Sequence, residues 1–497
     1  MRLTAIAFGP VACAALVVAC ARDTRRDEPT DTPLAVAAGG VAQAVRPLAP
    51  DGSHDWTRFG VDAARSNASS APTGIDSTNV GTMRRQRVAI DGTVDASPIY
   101  LRGVSIAGAA HDAFFVTTTY GKTLAIDADR GTILWEFTPS GYRGWAGSYR
   151  ITTATPVADP DRQFLYAASP DGRINKLAVA DGHLAWSTAI TLLPEREKIA
   201  SALNYFDGRV IATTGGYIGD APPYQGHVVI LDAATGRLAH VWNALCSDRA
   251  GLIQPKDCPA SDAAIWGRAG AVIDTTTGNL FIATGNARWD GRTNWGDAVI
   301  ELDRDASRVL GNFTPSNTET LDESDADLGS SSPVLLGAPA QTVLQAGKDG
   351  QLRLLDWRSM RGTAAHRGGE TQIVATPSRA GLFSAPAVVQ VGGNSWVFVA
   401  DGGGTAAYAF ESGALRVAWQ VASGGTSPVY ADGLLYVYDP SGALRVYDAG
   451  SGTVVARLAA GGGHWNSPIV ADGRIALPEG DANEHRQSGT VNIYRLP

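Results

Sequence analysis

Two neighbouring stretches of the chain contain side chains that could take part in chemistry. The first includes Trp266 and Asn286, and the second includes Asp327 and Lys348. A carboxylate can accept a proton from a hydroxyl group, an ammonium group can stabilise developing negative charge, and an amide oxygen suits a hard cation such as Ca²⁺. The same residues also have a structural interpretation, because Thr-Gly-Asn and Lys-Asp-Gly both fit tight turns. Residue types and spacing alone therefore leave a reactive site and a set of turns open.

Several other kinds of active site are excluded by the sequence. No Gly-x-Ser-x-Gly sequence supplies a nucleophile, the eight His show no metal-ligand spacing, and no Cys-x-x-Cys-His sequence could attach haem. The net charge is −8 and there is no run of basic residues, which argues against nucleic-acid binding. Electrons from any oxidation would have to pass to a separate acceptor.

The N-terminal residues 1–19 are typical of a bacterial lipoprotein signal peptide. A short basic start is followed by an apolar stretch that ends directly before Cys20. We expect Cys20 to be acylated at the outer membrane, with an ordinary cleaved signal as the alternative. Residues 20–54 have no periodicity and are rich in Asp, Arg, Thr, Pro and Ala, which predicts a flexible tether.

Two further cysteines, Cys246 and Cys258, lie twelve residues apart in a stretch rich in Pro and Asp. An exported chain can keep disulfide bonds, so we expect these two to bond to each other. A metal site is the alternative, although no His lies close in sequence to complete it.

The elements that must position the reactive residues come from a repeat. A phrase of Gly, alternating apolar residues, Asp, a Gly turn and often Trp recurs, and a small residue and Pro open an apolar run before each copy. Short alternating runs between Gly, Asp-Gly and Pro turns predict small antiparallel sheets. A period of about 40 to 60 residues predicts an array of equivalent units. The clearest copies are Gly121–Asp127, Gly172–Ala178, Gly226–Asp232 and Gly442–Asp448.

The repeat predicts an all-β fold, an eight-bladed β-propeller of four-stranded antiparallel blades, with seven blades as the alternative. The last unit lacks an outer strand, and Met83–Ile90 should supply it and so close the ring. Large rings in the outer strands should pack between blades; they belong to Trp135, Trp186, Trp242 and Trp419. Strand-opening segments lie near residues 97, 155, 201, 269, 332, 385, 427 and 467.

With these phrases the chain resembles the pyrroloquinoline-quinone (PQQ)-type propellers over roughly residues 56–497, which places the propeller domain at 55–497. This family includes periplasmic quinoprotein alcohol dehydrogenases and the propeller lipoprotein of the outer-membrane β-barrel assembly machine. Resemblance to the dehydrogenases implies that Asn286 is a Ca²⁺ ligand and that Trp266 lies flat beneath the quinone. It also implies that Asp327 is the catalytic base beside the metal and that Lys348 contacts the quinone oxygens.

The sequence departs from the dehydrogenase pattern at two places. It has no adjacent Cys pair, and Thr214–Asp220 offers Asp220 but no Glu as a second Ca²⁺ ligand. Two functions therefore remain open. The protein is either a lipid-anchored dehydrogenase that uses PQQ and Ca²⁺ to oxidise an alcohol or sugar, or a non-catalytic scaffold that binds an envelope protein. Convergence of the predicted site residues on one pocket would favour the dehydrogenase.

Overall fold

Eight antiparallel sheets form a closed ring in the computed structural model, which describes residues 54–337 and 341–497. The prediction of eight blades is confirmed, and the seven-bladed alternative is wrong. The signal peptide, Cys20 and nearly all of the predicted tether lie outside the described residues.

Each blade has four strands, ordered from the inner to the outer edge of its sheet. Blades 1 to 4 contain Ile99–Ile106, Ala109–Thr117, Thr123–Asp127 and Ile133–Phe137; Val157–Ala158, Phe164–Ser169, Arg173–Ala178 and Leu184–Ala189; Asn204–Phe206, Arg209–Thr213, His227–Asp232 and Leu238–Asn243; and Val272–Ile273, Leu280–Ala283, Val299–Leu302 and Val309–Phe313. Blades 5 to 8 contain Val334–Leu336, Thr342–Ala346, Gln351–Asp356 and Gln372–Ala375; Ala387–Val391, Asn394–Ala400, Thr405–Glu411 and Ala414–Val421; Val429–Ala431, Leu434–Asp439, Ala443–Asp448 and Val454–Ala459; and Ile469–Ala471, Arg474–Glu479, Gly489–Arg495 and Arg84–Ile90.

Helices contribute little to the fold. The single-turn 3-10 helices are Val80–Thr82, Tyr142–Gly144, Leu328–Ser330, Trp357–Ser359 and Ala482–Glu484, and the α-helix is Thr318–Glu323. Within residues 54–337 and 341–497, no helix has the length and apolar character needed to cross a membrane.

Blade 8 closes the ring with a strand from the N-terminal part of the chain. Arg84–Ile90 pairs antiparallel with Gly489–Arg495, so that Val88 lies opposite Val491. The predicted contribution of this segment to the last blade is confirmed. Pairing strands that are far apart in sequence holds the ring shut without a covalent link.

The recurring Trp and Gly of the sequence phrase meet between blades. The indole of Trp135 in blade 1 lies over Gly182 in blade 2, and Trp186 in blade 2 lies over Gly236 in blade 3. The two glycines have φ of +73° and +72°, and a Cβ would come within 2.7 Å and 2.6 Å of the rings. Trp135 Nε1 also donates to Val179 O of the next blade at 2.9 Å. These contacts fix blade 1 against blade 2 and blade 2 against blade 3.

The segment Trp56–Ser69 runs along the inner strands of successive blades. Trp56 exchanges backbone hydrogen bonds with Tyr100 of blade 1 at 2.8 and 2.9 Å, and Ala63 O accepts from Ile273 N of blade 4 at 3.0 Å. Further bonds join the segment to the inner strands of blades 2, 3 and 6, and Ala68–Ser69 pairs in parallel with the inner strand of blade 7. Because inner strands line the axis of a propeller, a segment that bonds to six of them runs along the wall of the channel.

One end of the ring carries all the predicted site residues. Neighbouring strands run antiparallel, so the first strand of each blade begins at the same end where the second strand finishes. Asp327 precedes the first strand of blade 5, whereas Asn286 and Lys348 follow the second strands of blades 4 and 5. We call this end, formed by the loops before first strands and after second strands, the upper face.

Candidate active site

The four predicted site residues meet on the upper face between blades 4 and 5. Asp327 Oδ1 accepts a hydrogen bond from Asn286 N at 2.7 Å, and Asp327 Oδ2 lies 2.6 Å from Lys348 Nζ. Lys348 Nζ lies 5.5 Å from the centre of the Trp266 ring, which is half-buried. Side chains from two blades therefore form one cluster instead of occupying separate turns.

The backbone holds Asp327 in a close approach between the two blades. Lys348 N donates to Asp327 O at 2.9 Å, so the two residues contact each other through both main chain and side chain. A Cβ at position 285 would lie 2.7 Å from Asp327 Oδ1, and only glycine leaves the carboxylate room to reach Asn286 N. The Thr-Gly-Asn sequence thus makes a turn and also positions the aspartate.

Burial and ion pairing have opposite effects on the pKa values of Asp327 and Lys348. Asp327 is 7% exposed, and burial raises its pKa although the charge of Lys348 lowers it. Burial alone would favour the neutral amine of Lys348, but the charges of Asp327 and Asp325 raise the pKa of Lys348. Asp325 Oδ1 lies 2.7 Å from Lys348 Nζ on the exposed side of the cluster. Lys348 therefore stays charged, and Asp327 binds protons more readily than an ordinary aspartate.

Two oxygen atoms beside Asp327 lack a hydrogen-bond partner among the described residues, Oδ1 of Asn286 and Oδ2 of Asp297. Asp297 is fully buried and is not among the residues predicted from the sequence; its Oδ1 accepts from Leu328 N at 2.9 Å. Burial, with the negative charge of Asp327, raises the pKa of Asp297 to about 8. Oxygens that are buried without donors are suited to a hard cation.

Further carboxylates surround the cluster on the side of blade 3. Asp220, the carboxylate that the sequence offers where the dehydrogenases have a Glu, accepts a hydrogen bond at Oδ1 from Tyr224 Oη at 3.0 Å. Burial and the negative charges of Asp220 and Asp322 raise the pKa of Asp262. This concentration of acidic groups favours a bound cation near the mouth of the channel.

A second polar group lies around the axis on the upper face. Arg268 is 5% exposed and donates to the carbonyl oxygens of Thr153 at 3.2 Å and Asp95 at 3.3 Å. The Asp95 carboxylate accepts from His464 Nδ1 at 2.9 Å. Burial lowers the pKa of Lys198 to about 8, although the charge of Asp95 opposes the shift. None of these residues was assigned a role from the sequence.

The repeat contains a signal for this second group. Asp95 stands just before Ser97-Pro98, and His464 stands just before Ser467-Pro468. Since the small residue and Pro open the inner strand of each blade, side chains directly before them belong to the upper face. The position of Asp95 and His464 in the repeat, rather than their residue type, indicates that they lie on the upper face around the axis.

A row of aromatic rings connects the two groups. The ring centres of Trp266 and Phe383 are 6.0 Å apart, those of Phe383 and Trp465 are 5.3 Å apart, and those of Trp465 and His464 are 4.3 Å apart. Phe383, Trp465 and His464 also line a cavity of about 260 Å³. The candidate active site and this cavity are therefore neighbours on one continuous surface.

Cys246 and Cys258 lie in the connection between blades 3 and 4, which leads to Trp266. The structure joins them by a disulfide bond, with the sulfur atoms 2.05 Å and the Cα atoms 6.0 Å apart. Asn243 Nδ2 also ties this connection down by donating to Arg249 O at 2.9 Å and Gly251 O at 3.1 Å.

In sequence, this chain is similar to two dehydrogenases. A polyvinylalcohol dehydrogenase of Sphingopyxis sp. (strain 113P3) is 23% identical over 214 residues, which are 40% of this chain and 31% of that protein. The quinohemoprotein alcohol dehydrogenase ADH-IIG of Pseudomonas putida is 25% identical over 169 residues, 33% of this chain and 22% of that protein. The matched part thus spans about a third or less of the length of these curated relatives.

Solved structures confirm the fold. The structure of ADHIIG from Pseudomonas putida HK5 superposes with a TM-score of 0.68 at 16% identity, covering 92% of this chain and 83% of that chain. BamB from Moraxella catarrhalis gives a TM-score of 0.50 at 14% identity, covering 83% of this chain and 98% of that chain. A family model described as outer membrane protein assembly factor BamB matches residues 43–251 and 403–487, more than half of the chain. The protein belongs to the PQQ-type β-propeller family.

Proposed function

We propose that the protein is a quinoprotein-like dehydrogenase of the bacterial envelope that oxidises a hydroxyl group of an alcohol or a sugar. The observation that carries this proposal is the convergence of Asn286, Asp327 and Lys348 beside Trp266. The names of the two dehydrogenase relatives support the same class of reaction.

The residues present fit PQQ and Ca²⁺. The half-buried ring of Trp266 offers a flat face to a planar cofactor, and Lys348 Nζ above that ring can donate to a quinone oxygen. Asn286 Oδ1, which has no donor among the described residues, and the Asp327 carboxylate are oxygen ligands of the kind that Ca²⁺ prefers. When bound, the quinone would accept the two electrons of the oxidation.

Asp327 accepts the proton of the substrate hydroxyl in this proposal. The raised pKa of its buried carboxyl group brings the base closer to neutral pH, where proton transfer is efficient. Asn286 N and Lys348 N hold the residue in place. Because Asp327 Oδ2 pairs with Lys348 Nζ, the lysine must turn toward the cofactor before Oδ2 can accept a proton.

Reconstitution tests this function. The purified chain would be freed of metal, incubated with PQQ and CaCl₂, desalted, and assayed for bound quinone and for dye reduction with alcohols and sugars. We expect bound quinone and substrate-dependent dye reduction. Asp327→Asn should keep the quinone but lose about 100-fold or more of the rate, whereas Asp305→Asn, a half-exposed control, should behave as wild type. Failure of the wild type to retain quinone would refute the proposal.

We further propose that the chain is exported and anchored to the outer membrane through Cys20. The lipoprotein-type sequence of residues 1–19 and the outer-membrane description of the matching family support this location. Cys20→Ser should release the protein from the membrane fraction of a producing Gram-negative cell. An unchanged membrane fraction, or a mature chain without lipid by mass spectrometry, would argue against the anchor.

A non-catalytic scaffold for an envelope protein is the second candidate. The family description favours it, as does the absence of a Glu from Thr214–Asp220 in the third unit. Trp56–Ser69 forms hydrogen bonds with the inner strands, so a partner would have to bind at the upper face or the rim. Affinity capture from outer-membrane extracts should then recover one defined protein, and substitutions at Asp327 should not impair the cell envelope function.

A further inference from the structure

The cavity of about 260 Å³ beside the candidate active site has walls of two kinds. Phe383 and Trp465 supply aromatic rings, while His464, Thr426 and Asp439 supply polar groups. Its volume is slightly below the range of about 300–1,000 Å³ that is typical of ligand pockets. It therefore suits a small molecule or a few units of a chain.

Asp95 fixes the ring of His464 at the edge of this cavity. Its fully buried carboxylate accepts from His464 Nδ1 at 2.9 Å, from Trp465 N at 2.7 Å and from Ala482 N at 3.1 Å. Burial opposes ionisation, but the hydrogen bond from His464 and the charge of Arg268 lower the pKa of Asp95. The carboxylate is then the acceptor, and Nδ1 carries the proton.

This arrangement leaves the other nitrogen of His464 available to a ligand. With the proton on Nδ1, the neutral ring has a lone pair on Nε2, and a second hydrogen bond orients the ring for that role. No residue of the described ranges forms a hydrogen bond with Nε2. His464 thus presents a fixed acceptor to the cavity that it lines.

Thr426 supplies an independent sign that the cavity takes a polar ligand. The residue is 5% exposed and lines the cavity, yet its Oγ1 has no hydrogen-bond partner among the described residues. A buried hydroxyl without a partner is unfavourable, and a hydroxyl group of a ligand would satisfy it. Aromatic walls with hydroxyl-binding groups at the edges suit the C–H faces and hydroxyl groups of a sugar or polyol.

We propose that this cavity binds a further hydroxyl group of a polyhydroxylated substrate, a sugar or a polyol chain, while another hydroxyl of the same molecule reacts at Asp327. Phe383 links the two places, since it lines the cavity and its ring contacts Trp266. The oxidation at Asp327 rests on the proposed function, whereas the binding of a hydroxyl group in the cavity does not. With its only hydroxyl at Asp327, a monoalcohol leaves the His464 position empty and gains nothing from it.

A matched pair of probes, 2,4-pentanediol and 2-pentanol, tests the subsite by calorimetric titration of the chain without cofactor. One additional hydrogen bond should make the diol bind about tenfold more tightly than the monoalcohol. His464→Phe should abolish that preference and leave 2-pentanol binding unchanged, and His464→Gln should restore part of it. His183→Phe, at an exposed turn of blade 2, is the control and should bind as wild type.

Three results would overturn or separate the proposals. Equal affinities for the two probes, or an equal loss of both in His464→Phe, would refute the subsite. Since His464 Nδ1, Asp95 and Asp481 offer ligand atoms within 4.8 Å of one another, Zn²⁺ binding that disappears in His464→Phe would assign Nδ1 to a metal and also refute it. Diol preference without any quinone-dependent oxidation would support the subsite and refute the proposed function.

Discussion

Asp297 should make the stability of this protein depend on pH in a way that one substitution removes. Its side chain is fully buried, Oδ1 accepts from Leu328 N, and Oδ2 has no partner among the described residues. Burial, with the charge of Asp327, raises its pKa from 3.8 to about 8. Asp297→Asn keeps an acceptor for Leu328 N and removes the titrating group.

The direction of the effect follows from proton linkage. Between pH 4 and pH 8 the folded chain keeps a proton on Asp297 that the unfolded chain has released, so the stability from this group is fully present below the unfolded pKa and is lost as the pH rises through the folded value. Each pH unit in this window lowers the free energy of unfolding by about 1.4 kcal/mol. The wild type should therefore lose about 4 kcal/mol between pH 5 and pH 8 through this group.

Urea unfolding of the metal-free chain at pH 5 and pH 8, followed by tryptophan fluorescence, measures this difference. Asp297→Asn should show a much flatter pH dependence, and Asp305→Asn, in the same blade but 53% exposed at its side chain, should follow the wild type. At pH 8, CaCl₂ should stabilise the wild type more than Asp297→Asn, because the cation uses the carboxylate. Parallel pH profiles for the wild type and Asp297→Asn would refute the protonated state of this buried group.

Three other substitutions test separate parts of the structure. Asn286→Ala removes an unpartnered oxygen but keeps the N–H that holds Asp327, so Ca²⁺ affinity by calorimetry should fall about tenfold; unchanged affinity would exclude the ligand role. Lys348→Met removes the charge that lowers the pKa of Asp327, so the ascending limb of the pH–rate profile should move to higher pH; a shift to lower pH would contradict the ion pair. Trp56→Ala empties a site that is 2% exposed and should lower the free energy of unfolding by about 3–5 kcal/mol in urea unfolding; a loss no larger than that of Trp396→Ala, at a half-buried ring, would mean that the segment does not support the ring.

The blades could be predicted from the sequence because their determinants are local. Asp-Gly turns, alternating runs and the Trp that covers Gly182 all lie within one unit or its neighbour. The strand order also predicts that Asn286, Asp327 and Lys348 lie on one face. Asp327 precedes a first strand, whereas the other two residues follow second strands, and these positions share one end of the blade. Their assignment to particular roles came from family resemblance and remains a prediction.

The segment along the inner strands and the buried carboxylate could not be predicted in this way. Trp56–Ser69 has no repeat phrase, and most of its partners are backbone atoms of inner strands that any sequence would provide. The environment of Asp297 depends on Leu328, which comes from the next blade. Contacts between distant parts of the chain leave no periodic signal, so they appear only in the three-dimensional structure.

The central claim is that blades 4 and 5 hold a quinone against Trp266. Titration of the Ca²⁺-loaded chain with PQQ, followed by tryptophan fluorescence and by the quinone absorbance retained after dialysis, tests it most directly. We expect one quinone per chain and a quenching that Trp266→Phe reduces, whereas Trp396→Phe, in blade 6, leaves it unchanged. No retained quinone, or the same quenching without Trp266, would contradict the claim.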